Sequence, residues 1–231
     1  MEAWINGLLP NVDVTELWQA TLDTLMMLGF SLTFTVLLGL PLGVLLFLTG
    51  PRQLLEKKWL YNLLALVVNA LRSFPFIILL ILMIPVTIFI TGLFLPDGTS
   101  MGVAGAVPPL VVGATPFFAR MVETSLREVD KGIIEAMLAM GASTRQIVMT
   151  ALLPEARPGI IAGVTVTAIM LVSYTAMAGV IGGGGLGDLA MRYGYQRFQP
   201  DVMAVTVVLL LVLVQVLQMT GDRLIIYFVR K

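Results

Sequence analysis

Cysteine and histidine are both absent from the 231 residues. Without cysteine there is no thiol chemistry and no disulfide. Without either residue there is no Cys- or His-based metal site and no Ser-His-Asp or Cys-His nucleophile. Charge is scarce too: 14 Lys and Arg face 14 Asp and Glu, a formal net charge of zero, so no global field favours nucleic acid. No carboxylate pair suited to acid and base work is apparent, and no G-x-x-x-x-G-K-[ST] segment occurs. Catalysis within this chain is therefore not expected, and neither cofactor nor metal is called for. Glu2, Asp13, Glu16 and Asp23 precede the first basic residue, Arg52. The positive region of a cleavable leader is missing, so the first apolar segment is expected to be a retained span.

What is abundant is apolar surface. Hydrophobic residues make up 58% of the chain and charged residues 12%, with a mean hydropathy of +0.96, a balance of the membrane class. Residues 1 to about 17 are acidic and broken by Pro10, with Trp4 and Trp18 where interfacial aromatics often sit. A first span is expected from about Thr24 to Leu48, with Pro41 between Gly39 and Gly43, a break that neighbouring membrane helices can accommodate. Trp59 to Phe94 is longer than one crossing of a roughly 30 Å core requires. Two divisions are open: an extension over Trp59 to Asn69 before one crossing from about Phe74 to Phe94, or two crossings joined at Arg72 to Pro75. Further spans are expected over Val103 to Val122, over Gly159 to Val180 with Pro158 in the first turn, and over Val202 to Thr220.

The basic residues favour the five-span division. Arg52, Lys57, Lys58, Arg127, Lys131, Arg145, Arg157, Arg223, Arg230 and Lys231 then share one side, with only Arg192 and Arg197 in loops opposite. The positive-inside rule predicts the N-terminus outside and the C-terminus in the cytoplasm.

Between the third and fourth spans lies EAMLAMGASTRQIVMTALLP, Glu135 to Pro154. Ile133, Ile134, Met137, Leu138 and Met140 recur at helical spacing, and Gly141 can take the left-handed conformation that ends a helix. Ser143 with Gln146 forms a capping-box pattern for a second short helix carrying Ile147, Val148, Ala151 and Leu152, which Pro154 is expected to stop. Apolar residues set among Glu135, Arg145 and Gln146 suggest a surface gripped by another protein or one lying on the bilayer.

Other features are less specific. Gly182, Gly184 and Gly187 match G-x-G-x-x-G, but a membrane span rather than a strand precedes them, so a flexible or tight extracytoplasmic loop is expected over Ile181 to Pro200. Arg72, Arg120 and Glu123 are ionisable groups in or near apolar segments, explained by snorkelling or by an Arg120 to Glu123 pair one turn apart. Ser173, Tyr174, Thr175 and Met177 either line a passage or pack against a neighbouring helix.

Glu135, Ala136, Gly141, Leu153 and Pro154 resemble the E-A-A, G and L-P positions of the cytoplasmic loop of bacterial ABC importer permeases, with Met137 at the third position and Ala151 two before Leu153. The segments RSFPFIILL, GATPFFARMVE, GASTRQIV, LLPEARPG and GGGGLGDLAMRYGYQRF are similar to those of methionine-importer permeases. The resemblance covers about residues 20 to 225. It implies an all-α membrane protein of the type I ABC importer permease architecture, with five transmembrane helices per subunit and a cytoplasmic coupling helix. On this reading an extracytoplasmic segment occupies 1–19, the transmembrane domain 20–225 with its coupling loop at 131–157, and a cytoplasmic end 226–231. Coupling to the ATPase would fall to Glu135, Ala136, Met137, Gly141, Ala142, Leu153 and Pro154. Ser173, Tyr174 and Met177 are candidate passage or gate residues.

The implied partners are a second copy of the chain, two ATP-binding cassette ATPase subunits that hold the ATP, an extracytoplasmic methionine-binding lipoprotein and membrane lipid, with no nucleic acid. The implied place is the bacterial inner membrane and the implied substrate methionine, L or D. A permease for another small amino acid and an ATP-independent secondary transporter are the alternatives.

Overall fold

The computed structural model describes residues 10–229. The helices, in order, are α1 (Val14–Thr49), α2 (Lys58–Ser73), α3 (Phe76–Leu82), α4 (Ile84–Gly92), α5 (Gly102–Arg127) and α6 (Lys131–Ala139). A composite segment follows, α7 (Thr144–Gln146), the π-helical turn π1 (Ile147–Leu152) and α8 (Leu153–Glu155), and then α9 (Arg157–Val180). The chain ends with α10 (Gly185–Leu189), a second π turn, π2 (Ala190–Tyr195), and α11 (Pro200–Val229). Among the described residues α1, α5, α9 and α11 are long and apolar enough to cross a membrane. The pair α2 and α3, bent by 103°, supplies a fifth if taken as one broken span.

Several expectations change. α1 begins at Val14, ten residues ahead of Thr24, because Asp13 accepts hydrogen bonds from the Thr15 and Glu16 amides at 2.8 and 3.3 Å and caps the helix there. Pro41 leaves the helix unbroken. The crossing expected from Phe74 to Phe94 is two helices parted at Met83, where Pro85 brings no amide to continue α3. Residues 181–200 are largely helical rather than loop. Pro154 does not stop the chain either. The wider π turn moves the hydrogen-bond register by one residue, with the Leu153 amide donating to Val148. Pro154 then falls in a first turn that needs no amide from it, and bonds from Ala156 to Leu152 and from Ile160 to Ala156 carry the helix into α9.

The described residues fall into two compact units. The first comprises the chain up to Phe34, Phe74–Gly113 and Ala168–Leu217. Its small cluster of Ala20, Leu186, Leu189 and Val202 seats α10 against α1 and α11. The Thr24 hydroxyl donates to the Ala20 carbonyl and accepts from the Leu186 amide, both within 2.9 Å. Gly185, with φ +79°, passes so close that a Cβ would lie 2.6 Å from that hydroxyl oxygen.

The second unit comprises Thr35–Ser73, Ala114–Thr167 and the chain from Gln218. Its core joins Phe47, Leu48, Phe118, Val122, Leu126, Val129, Ile147, Val148, Leu152 and Ala156. Small residues let the helix backbones approach, as membrane helices require. A Cβ on Gly43 would stand 2.6 Å from the Ala119 carbonyl oxygen, and one on Gly221 would stand 2.2 Å from the Thr165 hydroxyl.

Candidate docking and passage sites

The candidate docking element starts at Asp130, whose carboxylate accepts from the Gly132 amide at 2.6 Å and so caps α6. α6 ends in a complete Schellman closure. The Gly141 amide donates to Leu138 and the Ala142 amide to Met137, at 2.9 and 3.0 Å, and Gly141 takes φ +77°. Ala142 and Met137 pack against the same apolar cluster, the contact that accompanies such a closure. The predicted capping box is present: the Gln146 side-chain oxygen accepts from the Ser143 amide at 2.8 Å, and the Ser143 hydroxyl accepts from the Gln146 amide at 3.4 Å.

These caps set two faces. Ile147, Val148, Ala151 and Leu152 are buried, and Ile133, Ile134, Met137, Ala142 and Leu153 pack half-buried on the same core. Glu135, Ala136, Leu138, Met140, Gly141 and Met149 are exposed, Met140 at 73%. A helix–turn–helix keyed by one face into its own unit leaves the other face free to be gripped. The predicted coupling positions are thereby divided. Glu135, Ala136 and Gly141 face outward, Met137, Ala142 and Leu153 anchor, and Pro154 sits half-buried at the return to α9.

The passage candidates are divided too. In the first unit Tyr174 turns inward and stacks on Phe76, with ring centroids 3.9 Å apart and planes 7° from parallel. The buried Thr175 hydroxyl donates to the Val172 carbonyl at 2.7 Å. Ser173, Met177 and Val180 share one exposed stripe of α9 at i, i+4 and i+7. That stripe, rather than a four-residue cluster, is what this helix leaves open.

The glycine pattern at 182 to 187 is structural. No strand occurs among the described residues, and the missing Cβ atoms of Gly187, otherwise 2.5 Å from the Ala176 backbone, and of Gly179, otherwise 2.2 Å from the Asp188 amide, let α10 lie against α9.

The Arg120 to Glu123 ion pair is present, and the sequence reading missed how far it extends. Glu123 is buried and also accepts from Arg127 on its own helix and from the Tyr61 hydroxyl on α2. Arginines at i−3 and i+4 of an acid in an apolar helix were the available signal. Arg72 stands over the Phe117 ring, 5.9 Å from its centroid.

Residues 36–231 match the family described as binding-protein-dependent transport system inner membrane component. The chain is 48% identical over 206 residues to the probable D-methionine transport system permease protein MetI of Vibrio cholerae, covering 89% of each chain. It is 49% identical over 213 residues to the methionine import system permease protein MetP of Bacillus subtilis, covering 92% of this chain and 93% of that one. In structure it is similar to a chain of the MetNI methionine ABC transporter in inward-facing conformations, with a TM-score of 0.87, 45% identity and 99% of each chain covered.

Proposed function

This chain belongs to the family of binding-protein-dependent transport system inner membrane components, and from that premise we propose that it is the permease subunit of an ATP-driven methionine importer. The observation that carries the coupling role is the two-faced element over 131–157, whose caps hold one face in the core and present Glu135, Ala136, Leu138, Met140 and Gly141 outward. The chain has no phosphate-binding loop of its own, so the ATP is bound and hydrolysed by a partner that grips this face. The relatives' names support methionine, in either enantiomer, as the cargo.

The protein is a multi-pass protein of the inner membrane. Its basic residues support an N-terminus outside and a cytoplasmic docking element. Two copies assemble with two ATPase subunits and receive substrate from an extracytoplasmic methionine-binding lipoprotein. The passage forms between the two copies, and the exposed Ser173 and Met177 stripe of α9 supports a place on it for those two side chains. Tyr174, half-buried and stacked on Phe76, stands beside that stripe as a further candidate for the passage wall. ATP binding closes the ATPases and moves both docking elements, turning the passage from inward- to outward-facing. Hydrolysis and product release return it.

The test is uptake of labelled methionine into vesicles holding the chain, its ATPase and its binding protein, with unlabelled amino acids as competitors. ATP-dependent uptake that methionine alone competes away is the expected result. Uptake without the ATPase would replace this reading with a secondary transporter.

A further inference from the structure

Glu123 sits in the second unit, 3% exposed and one turn before the end of α5. Its carboxylate accepts from Arg120 one turn back, from Nε and Nη2 of Arg127 at 3.2 and 2.7 Å, and from the Tyr61 hydroxyl of α2 at 3.3 Å. Arg120 also donates to the Asn69 side-chain oxygen at 3.1 Å. The ion pair thus ties α5 to α2 at two points about two helical turns apart, Glu123 at Tyr61 and Arg120 at Asn69. Arg127 reaches a third element, because a Cβ on Gly50, just past α1, would lie 2.9 Å from its Nη2. Arg127 is the last residue of α5, and Asp130, the cap of the docking helix α6, follows three residues later.

Burying a carboxylate among guanidinium groups is an expensive way to join two helices. Apolar packing of the same volume often serves stability as well or better. The charges do supply direction: a carboxylate held from three sides permits one orientation of the α5 end against α2 and the end of α1. We propose that Glu123 is a positioning residue for transport, clamping the last turn of α5 so that movement of the docking element is passed to the spans as a rigid displacement. The proposal rests on the coupling role given above. With Glu123 replaced by Gln, Arg120 and Arg127 lose their shared charged acceptor, and the α5 end is held against α2 less rigidly. ATP is then hydrolysed with little movement of the passage.

The experiment compares substrate moved with ATP hydrolysed in liposomes holding the complete importer. Glu123→Gln is expected to keep the ATPase bound and hydrolysing while transport per ATP falls about tenfold, a typical coupling magnitude. Arg127→Gln should act in the same direction, and the double variant should be no worse than the worse single, since both cut one network. Tyr61→Phe removes a single hydroxyl and should lower the ratio less, with the complex intact. An unchanged ratio in Glu123→Gln or in Tyr61→Phe overturns the proposal, as does proportional loss of transport and hydrolysis in both. An unmutated chain that neither binds an ATPase nor transports would instead overturn the functional reading.

Discussion

Replacing Gly141 separates the two contributions that the proposed docking turn makes. Its φ of +77° closes the Schellman motif, and a Cβ there would meet no atom of the chain within 4 Å. Internal clash therefore contributes nothing, and the cost of Gly141→Ala is conformational, about 1–2 kcal/mol for an L-residue held left-handed. That cost depletes the docking-competent turn roughly 5- to 30-fold relative to relaxed alternatives. Gly141→Asn should lose less, since asparagine visits the left-handed region with local hydrogen bonds. Gly141→Glu carries the same backbone penalty and adds a charged side chain in the open space that a docked partner would fill. ATPase affinity should therefore fall in the order Gly, Asn, Ala, Glu, with the protein retained in the membrane. Titrating the purified ATPase against each variant in nanodiscs reads this order directly. Glu-variant affinity equal to that of the unmutated chain would refute both the location of the docked face and the argument from strain.

Gly43→Leu should unfold the second unit at lower temperature, because its Cβ would lie 2.6 Å from both the Ala119 carbonyl oxygen and the Val122 Cβ. Overpacking of this kind costs about 1–3 kcal/mol, and Gly29→Leu on the same helix, with nothing within 4 Å of its Cβ, should leave the melting temperature in detergent unchanged. Ser143→Ala removes half of the capping box, a loss of about 1 kcal/mol, and should raise amide exchange around residues 143–146 while leaving the spans protected.

Much of this molecule was determined by sequence alone, wherever the cause is local. A chain this apolar must satisfy its backbone within helices, and the alternation of apolar runs with basic loops spaces the spans. Gly141 and the Ser143 to Gln146 spacing define the docking turn because capping acts over three or four residues. Boundaries were less legible. Asp13 proved to be a cap, Pro41 and Pro154 proved to be no barrier, and Pro85 parted a crossing that composition left whole. Proline specifies only a missing amide, and its effect depends on whether a wider turn or a first-turn position absorbs that loss.

Only tertiary structure decided which neighbours meet. It turned Tyr174 onto Phe76 and left Ser173 and Met177 open, although all three lie within five residues of one helix. It also assigned Gly187 to a helix contact rather than to a loop, and brought Tyr61 of α2 to Glu123, 62 residues along the chain. Such contacts are set by how helices cross, and no period or cap in the sequence records a crossing.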